Sequence, residues 1–139
     1  MGRGTKTSAA ALFAALFFAT TTQAQPPKDP VERYRLSTQF HLPGCSATQF
    51  IALMDPTGDN QAKTVECVKR AEKEIGPELQ AALRAQKSER ARDALRDFAG
   101  AWLAALRQHG SVSSGPSAMQ SRATEQRLEE LWARFEVSR

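Results

Sequence analysis

The stretch Cys45–Cys67, CSATQFIALMDPTGDNQAKTVEC, predicts two helices that fold back on each other around a tight turn. The turn is Asp55–Asp59 (DPTGD), where proline fixes one backbone dihedral and glycine adopts conformations that other residues avoid. Before the turn, Ser46–Met54 carries apolar residues on one helical face. After the turn, Asp59 or Asn60 is the expected cap of a second helix. The stretch therefore predicts a helical hairpin.

The two cysteines of the chain, Cys45 and Cys67, lie at almost equal distances from the centre of this turn. Residues equidistant from the turn face each other in an antiparallel pair of helices, so we predict that a disulfide joins them. Closing a loop of about 20 residues stabilises a small domain by roughly 3 kcal/mol in the chain-entropy model. The cysteines thus predict an αα-hairpin that is stapled by a disulfide.

Residues 1–24 have the layout of a secretory signal peptide. Arg3 and Lys6 form a basic start, Ala9–Ala19 is an apolar run without charge, and small residues precede a cut ahead of Gln25. The apolar run is shorter than the roughly 18 to 20 residues that span a bilayer. We therefore expect a periplasmic or secreted mature chain that has no stable membrane anchor.

The charge of the chain gives no support to nucleic-acid binding. The formal net charge of +4 comes from 19 basic and 15 acidic residues, and loss of Arg3 and Lys6 with the signal peptide lowers it to +2. The remaining charges are interspersed, whereas a phosphate-binding patch needs clustered cations. The sequence also lacks a glycine-rich phosphate loop, a nucleophile–base pair and paired histidine ligands. We predict a protein that is not an enzyme and that uses no cofactor.

The pattern on either side of the hairpin predicts further helices and no strands. Residues 25–44 contain prolines and mixed apolar spacings, so we expect an extended N-terminal arm there. The helical domain then spans residues 45–109. Within it, Gly76–Pro77 interrupts the second helix, and a long third helix follows over about Pro77–Gln108. The apolar stripe of this third helix thins at Arg84–Arg92, where the helix either projects into solvent or breaks. The fold class is all-α.

A linker and one more helix complete the predicted organisation. Residues 110–117 (GSVSSGPS) are a linker by composition, and residues 118–139 form an amphipathic helix. The apolar stripe of this helix consists of Leu128, Leu131, Trp132 and Phe135. An isolated helix of this length is marginal in water, so the stripe needs an apolar partner. Packing back onto the hairpin is the usual fate of such a stripe, while docking in trans would make these four side chains the partner-binding residues.

Residues 55–66 also resemble a degenerate EF-hand calcium loop. Four oxygen-bearing side chains fall at the first, third, fifth and twelfth positions of such a loop: Asp55, Thr57, Asp59 and Glu66. Lys63 occupies the ninth position, where a cation opposes ion binding. The crossed helices of an EF-hand would also strain a Cys45–Cys67 bridge. A metal site is therefore not the favoured prediction, and calcium binding stands as a third hypothesis.

The segment Leu95–Leu103, LRDFAGAWL, follows the cysteine pair at a distance that suits a known family. With its exported, helical and cystine-bearing character, the chain resembles the LprI-type family of small periplasmic proteins, some of which are lysozyme inhibitors. The resemblance covers roughly Cys45 to Arg107 and carries over no binding residue. It implies a protein that binds another protein, with lysozyme as the implied partner.

These observations give three hypotheses for the function. The first is an exported, non-enzymatic protein-binding module, similar to the lysozyme inhibitors. The second is a structural or assembly component of the cell envelope that docks through its C-terminal helix. The third is a calcium-binding module that uses residues 55–66.

Overall fold

The computed structural model of the protein describes residues 25–110 and 118–139 and folds them into four helices. The helices are α1 (Pro30–Met54), α2 (Gly58–Arg84), α3 (Glu89–Gly110) and α4 (Ala118–Ser138). These two ranges contain no strand, which confirms the all-α class. The predicted signal peptide at residues 1–24 and the linker residues 111–117 lie outside the described residues.

A single long helix, α1, replaces most of the extended arm that the sequence predicts for residues 25–44. The helix begins after Asp29, whose side chain accepts a hydrogen bond from the N–H of Val31 at 2.9 Å, and it continues through Pro43. A proline inside a helix costs about 3 kcal/mol. Side chains buried before and after Pro43, such as Cys45, hold the helix together across it. The mixed spacing of this segment reflects apolar residues on two faces of one helix.

The hairpin predicted around Cys45–Cys67 is confirmed. Only Asp55–Thr57 separates α1 from α2, and the disulfide joins the two helices with the Cα atoms of the cysteines 5.6 Å apart. Thr57, rather than the expected Asp59 or Asn60, caps α2, because its hydroxyl accepts a hydrogen bond from the N–H of Asn60 at 3.3 Å. The staple therefore fixes α1 against α2 within a few turns of their connection.

The second helix, α2, continues past the predicted interruption at Gly76–Pro77 and ends at Arg84. Its buried residues keep helical spacing on both sides of the proline, so one apolar face packs on the core across it. The break occurs at residues 85–88, where the apolar stripe thins. Ser88 then accepts a hydrogen bond from the N–H of Ala91 at 3.1 Å and caps α3. The predicted long third helix is thus the end of α2 followed by α3.

The central helix is α3, because it packs against each of the other three. The largest buried side chains around it come from different helices: Tyr34 from α1, Ile75 from α2, Phe98 and Trp102 from α3, and Phe135 from α4. The core therefore lies between the stapled hairpin on one side and α4 on the other. None of the described helices is long and apolar enough to cross a membrane.

The apolar stripe of α4 is part of this core. Leu128, Leu131, Trp132 and Phe135 are each less than one-tenth exposed, and the Trp132 ring lies 5.1 Å from the Phe98 ring. The favoured expectation that the stripe packs in cis is met, but its helix packs on α3 and not on the hairpin formed by α1 and α2. The four side chains pack back onto their own chain, so docking through them would require α4 to leave α3.

Candidate functional site

A groove separates α1 from α4. Both helices pack on α3, yet no Cα atom of α1 lies within 8 Å of a Cα atom of α4 in the described residues. The gap has a volume of about 680 Å³ and is open to solvent. We call it the α1/α4 groove. It lies above α3, on which α1 and α4 both pack without meeting each other.

The groove is lined mainly by apolar and hydroxyl-bearing side chains. Its floor comes from α3: Trp102, Ala105, Gln108 and His109. The α1 wall consists of Arg35, Thr38, Gln39, Leu42, Pro43, Ser46, Ala47, Phe50 and Ile51. The α4 wall consists of Ser121, Thr124, Glu125, Leu128 and Glu129. Such a surface is suited to burying an apolar group, because few charged side chains would need to be desolvated.

One end of the groove is bridged by Arg35. Its guanidinium donates a hydrogen bond to Glu129 Oε1 of α4 at 2.8 Å and lies 4.5 Å from the centre of the Trp132 ring. An exposed ion pair alone contributes little, but stacking on an aromatic face adds to it. Beyond this point, Arg139 pairs with Asp29 at 3.3 Å. The two walls are therefore tied together at this end.

Two hydrogen bonds attach the floor of the groove to α1. The indole N–H of Trp102 donates to the backbone carbonyl of Thr38 at 3.1 Å. The Nδ1 atom of His109 lies 2.6 Å from Oε1 of Gln49, and both side chains are buried. Burial lowers the pKa of His109, because it disfavours the charged imidazolium. Because an amide oxygen can only accept, the contact requires a proton on Nδ1 of the neutral ring, which Nδ1 donates to Gln49 Oε1.

The residues of the predicted calcium loop are spread along the hairpin. Asp55 follows the last turn of α1, Thr57 caps α2, and Asp59 and Glu66 lie inside α2. An EF-hand needs a 12-residue loop that wraps around the ion. In the part of the chain that the structure describes, no group of three or more histidine, cysteine or acidic side chains is placed to hold a metal. The helical conformation of residues 58–66 leaves only three residues to surround an ion.

The α1 wall is not among the functional surfaces that the sequence predicts. Residues 36–54 contain no lysine, arginine, aspartate or glutamate, although one side of this segment faces solvent. Several large apolar side chains of this segment are exposed: Leu36, Phe40, Phe50, Ile51, Leu53 and Met54. Exposed apolar patches of this kind mark interaction surfaces. The long run of uncharged residues was a sequence signal for this surface. It was not recognised, because residues 25–44 were predicted to form an extended arm.

Comparison with known proteins adds no relative to this description. No protein-family model, no curated protein and no solved structure matches the chain. The α1/α4 groove and the exposed face of α1 are therefore the features from which a function can be argued.

Proposed function

We propose that this protein is an exported binding module that holds an amphipathic helix of a partner protein in the α1/α4 groove. The observation that carries the proposal is the open, largely apolar groove between two helices that share one floor. Helix-in-groove binding uses such a surface, into which a partner helix inserts apolar side chains at intervals of three and four residues. A small ligand is usually enclosed over most of its surface. Here the apolar surface continues past Phe50 and Ile51 onto the exposed face of α1.

Contacts within the chain preform the groove before any ligand binds. The Cys45–Cys67 disulfide fixes α1 to α2, and the contacts of Arg35 tie α1 to α4. Binding to a preformed groove costs less ordering entropy than binding to a mobile one. These contacts support a role that depends on shape, as expected for a binding module.

The composition of residues 1–24 and the disulfide support export of the chain. Disulfides persist in oxidising compartments, which include the periplasm and the extracellular space. We expect intact-mass measurement of the native protein from the cell envelope to give a chain that begins at Gln25. A cytoplasmic chain that keeps Met1 or Arg3 would contradict export.

Lysozyme is the first partner to test, because the resemblance to the LprI-type family implies it. Purified mature protein and lysozyme should coelute in size-exclusion chromatography, and lysozyme activity should fall as the protein is added. Loss of both effects in a variant with a filled groove, T124W, would place lysozyme in the groove. Inhibition that T124W leaves unchanged would contradict groove binding of lysozyme.

The proposal for the groove can be tested without knowing the partner. We would place the photo-crosslinking residue p-benzoylphenylalanine at Ser46 on the α1 wall, at Thr124 on the α4 wall, and at the exposed Ala62 of α2 as a control. Irradiation in the native envelope should give adducts with the same protein from both walls and none from Ala62.

Other outcomes of the crosslinking experiment would contradict the proposal. Equal adducts from Ala62 would mean that contact is not specific to the groove. Adducts whose added mass matches a lipid would assign the groove to a small apolar ligand. The captured protein should also bind T124W at least tenfold more weakly than wild type, while the matched variant A62W should bind as wild type does.

A further inference from the structure

The solvent side of α1 carries an apolar stripe with a regular spacing. Six exposed residues form it, at successive intervals of four, three, four, three and four: Leu36, Phe40, Pro43, Ala47, Phe50 and Met54. We call this set the outer stripe. Phe40, Phe50 and Met54 are 75%, 64% and 73% exposed, so the described chain leaves most of each side chain uncovered. Alternation of three and four residues is the spacing of a helix that packs against another helix along its length.

We propose that a second copy of this chain covers the outer stripe, with the two α1 helices paired antiparallel about a twofold axis. The proposal goes beyond helix binding in the groove, because it assigns the solvent side of α1, which meets the groove along its rim, to a specified partner, the chain itself. Most dimers of identical chains have such an isologous interface, in which the same patch is used by both copies.

The intervals between the residues of the outer stripe are the same in both chain directions, as an antiparallel pair of identical helices requires. A twofold axis at the level of residue 45 places Leu36 opposite Met54 of the second copy and Phe40 opposite its Phe50. Pro43 then lies opposite the second copy's Ala47, next to the axis. The small central layer lets the helices approach, and the phenylalanine layers on either side fill the wider space. Every stripe residue thus meets another stripe residue.

The exposed area is sufficient for a specific, reversible dimer. From the exposed fractions of its members, the outer stripe offers on the order of 600 Å² per copy, or about 1,200 Å² for the pair, the lower end of specific interfaces. This is at the upper end of the largest apolar patch that a typical monomer exposes, and such patches are often functional.

The charges around the outer stripe are compatible with the same arrangement. Between Arg35 and Asp55 no lysine, arginine or carboxylate side chain occurs, so the stripe itself brings no like charges together. At its start, Glu32 and Arg33 lie side by side, and at its end Asp55 directly follows Met54. Antiparallel pairing therefore brings one acidic and one basic residue of each copy towards Asp55 of the other, whereas parallel pairing would set Asp55 against Asp55.

Dimer formation would change the shape of the α1/α4 groove, but the dimer does not require that the groove binds a partner. Pro43, Ala47 and Phe50 form the outer rim of the α1 wall, so the second copy would extend that wall outwards. The floor and the α4 wall stay free. An experiment on the purified chain alone tests the dimer, because it needs no partner protein and its result is separate from that of the crosslinking test.

The test is sedimentation equilibrium of the mature chain over a range of concentrations. We expect wild type to dimerise reversibly, and F40E and F50E to raise the dimer dissociation constant more than tenfold. The control V137E replaces an apolar residue of α4 that is 85% exposed and lies off the stripe, and it should dimerise as wild type does. At concentrations where all four proteins are monomeric, they should melt at similar temperatures.

A double substitution distinguishes the antiparallel pair from any other. F40E/F50K should restore much of the dimer, because the antiparallel axis sets opposite charges across from each other in both phenylalanine layers. In a parallel pair the same substitutions would face like charges. Failure of F40E/F50K to restore the dimer would overturn the antiparallel axis.

Three further results would overturn the proposal. The first is a wild-type chain that stays monomeric at millimolar concentration, and the second is equal loss of the dimer in V137E. The third is a monomer that sediments with phosphatidylglycerol vesicles and loses this binding in F40E, which would assign the outer stripe to a lipid surface.

Discussion

Helices α1 and α4 both pack on α3 beside the same groove, but they present their apolar residues in opposite ways. The stripe of α4 turns inwards, and all four of its large side chains are buried. The inner face of α1 instead buries polar groups such as Thr38 and Gln49 beside Tyr34, while most of its other large apolar side chains face solvent. The helix with the sharper amphipathic pattern is therefore the structural one, and the helix with the blurred pattern carries the exposed surface.

The difference also shows how each helix is held in place. Hydrophobic burial holds α4, since its stripe completes the core around Phe98. Burial of Tyr34 against Phe98, a covalent bond, and hydrogen bonds to Trp102 and His109 hold α1. A helix that is fixed by these contacts on one side is free to use apolar residues on its other side for binding.

Removal of α4 should have the largest effect. Burial of each large apolar side chain stabilises a fold by about 1.5–3 kcal/mol, so the four together rival the whole stability of a small domain. We expect a mature chain that ends at Ser117 to lose its cooperative thermal transition in circular dichroism. A control chain that lacks only Arg139 should keep it. A sharp melt of the truncated chain would mean that α4 is an accessory arm.

The next largest effect is expected from alanine substitution of one phenylalanine in each helix, Phe135 in α4 and Phe50 in α1. Phe135→Ala should lower the free energy of unfolding by about 3–5 kcal/mol, because it leaves a cavity in the core. Phe50→Ala should change it by less than about 0.5 kcal/mol, because the side chain is already exposed. Urea denaturation of the monomeric F40E background measures both. Equal losses at the two positions would show that the outer face of α1 is packed.

Loss of the Cys45–Cys67 disulfide should have the third largest effect on stability, because it releases α1 from α2. Cys67→Ser, made together with Cys45→Ser to avoid a free thiol, should cost about 2–5 kcal/mol. Non-reducing peptide mapping of wild type should give one cross-linked Cys45–Cys67 pair. A double variant as stable as wild type would mean that noncovalent contacts alone hold α1 to α2.

A pH effect at His109 should be the smallest. Burial lowers the pKa of His109 in the folded chain below its unfolded value near 6.5, so the unfolded chain binds more protons. The contribution of this residue is therefore complete above about pH 6.5 and decreases as the pH falls below it. We expect the melting temperature of wild type to fall between about pH 7.5 and 5.5, and that of His109→Gln to fall less. Parallel curves for the two proteins would contradict this origin.

The sequence predicted the features that depend on local pattern. The hairpin followed from the turn at Asp55–Asp59, and the disulfide followed from the symmetric placement of Cys45 and Cys67. Both are confirmed. The two prolines at positions 43 and 77 misled the prediction of helix ends, because tertiary packing on each side of a proline can outweigh its local cost.

The groove could not be predicted from the sequence for a different reason. Its floor and walls come from three helices that are distant along the chain, and its width depends on where α1 and α4 sit on α3. Periodicity predicts which face of one helix is apolar, but it does not say how far apart two helices stand on a third. The stripe of α4 was correctly identified as apolar, yet only the packing shows that its own chain covers it.

The contacts of α1 with Trp102 and Trp132 have a practical consequence. The chain has only these two tryptophans; one bonds to the carbonyl of Thr38, and the other lies beneath the guanidinium of Arg35. The intrinsic fluorescence of the protein therefore reports on α1. If α1 swings away from the α3–α4 pair, both indoles meet water and their emission shifts to longer wavelength. The widening of the groove can thus be followed in the unlabelled protein, in real time, as a partner is added.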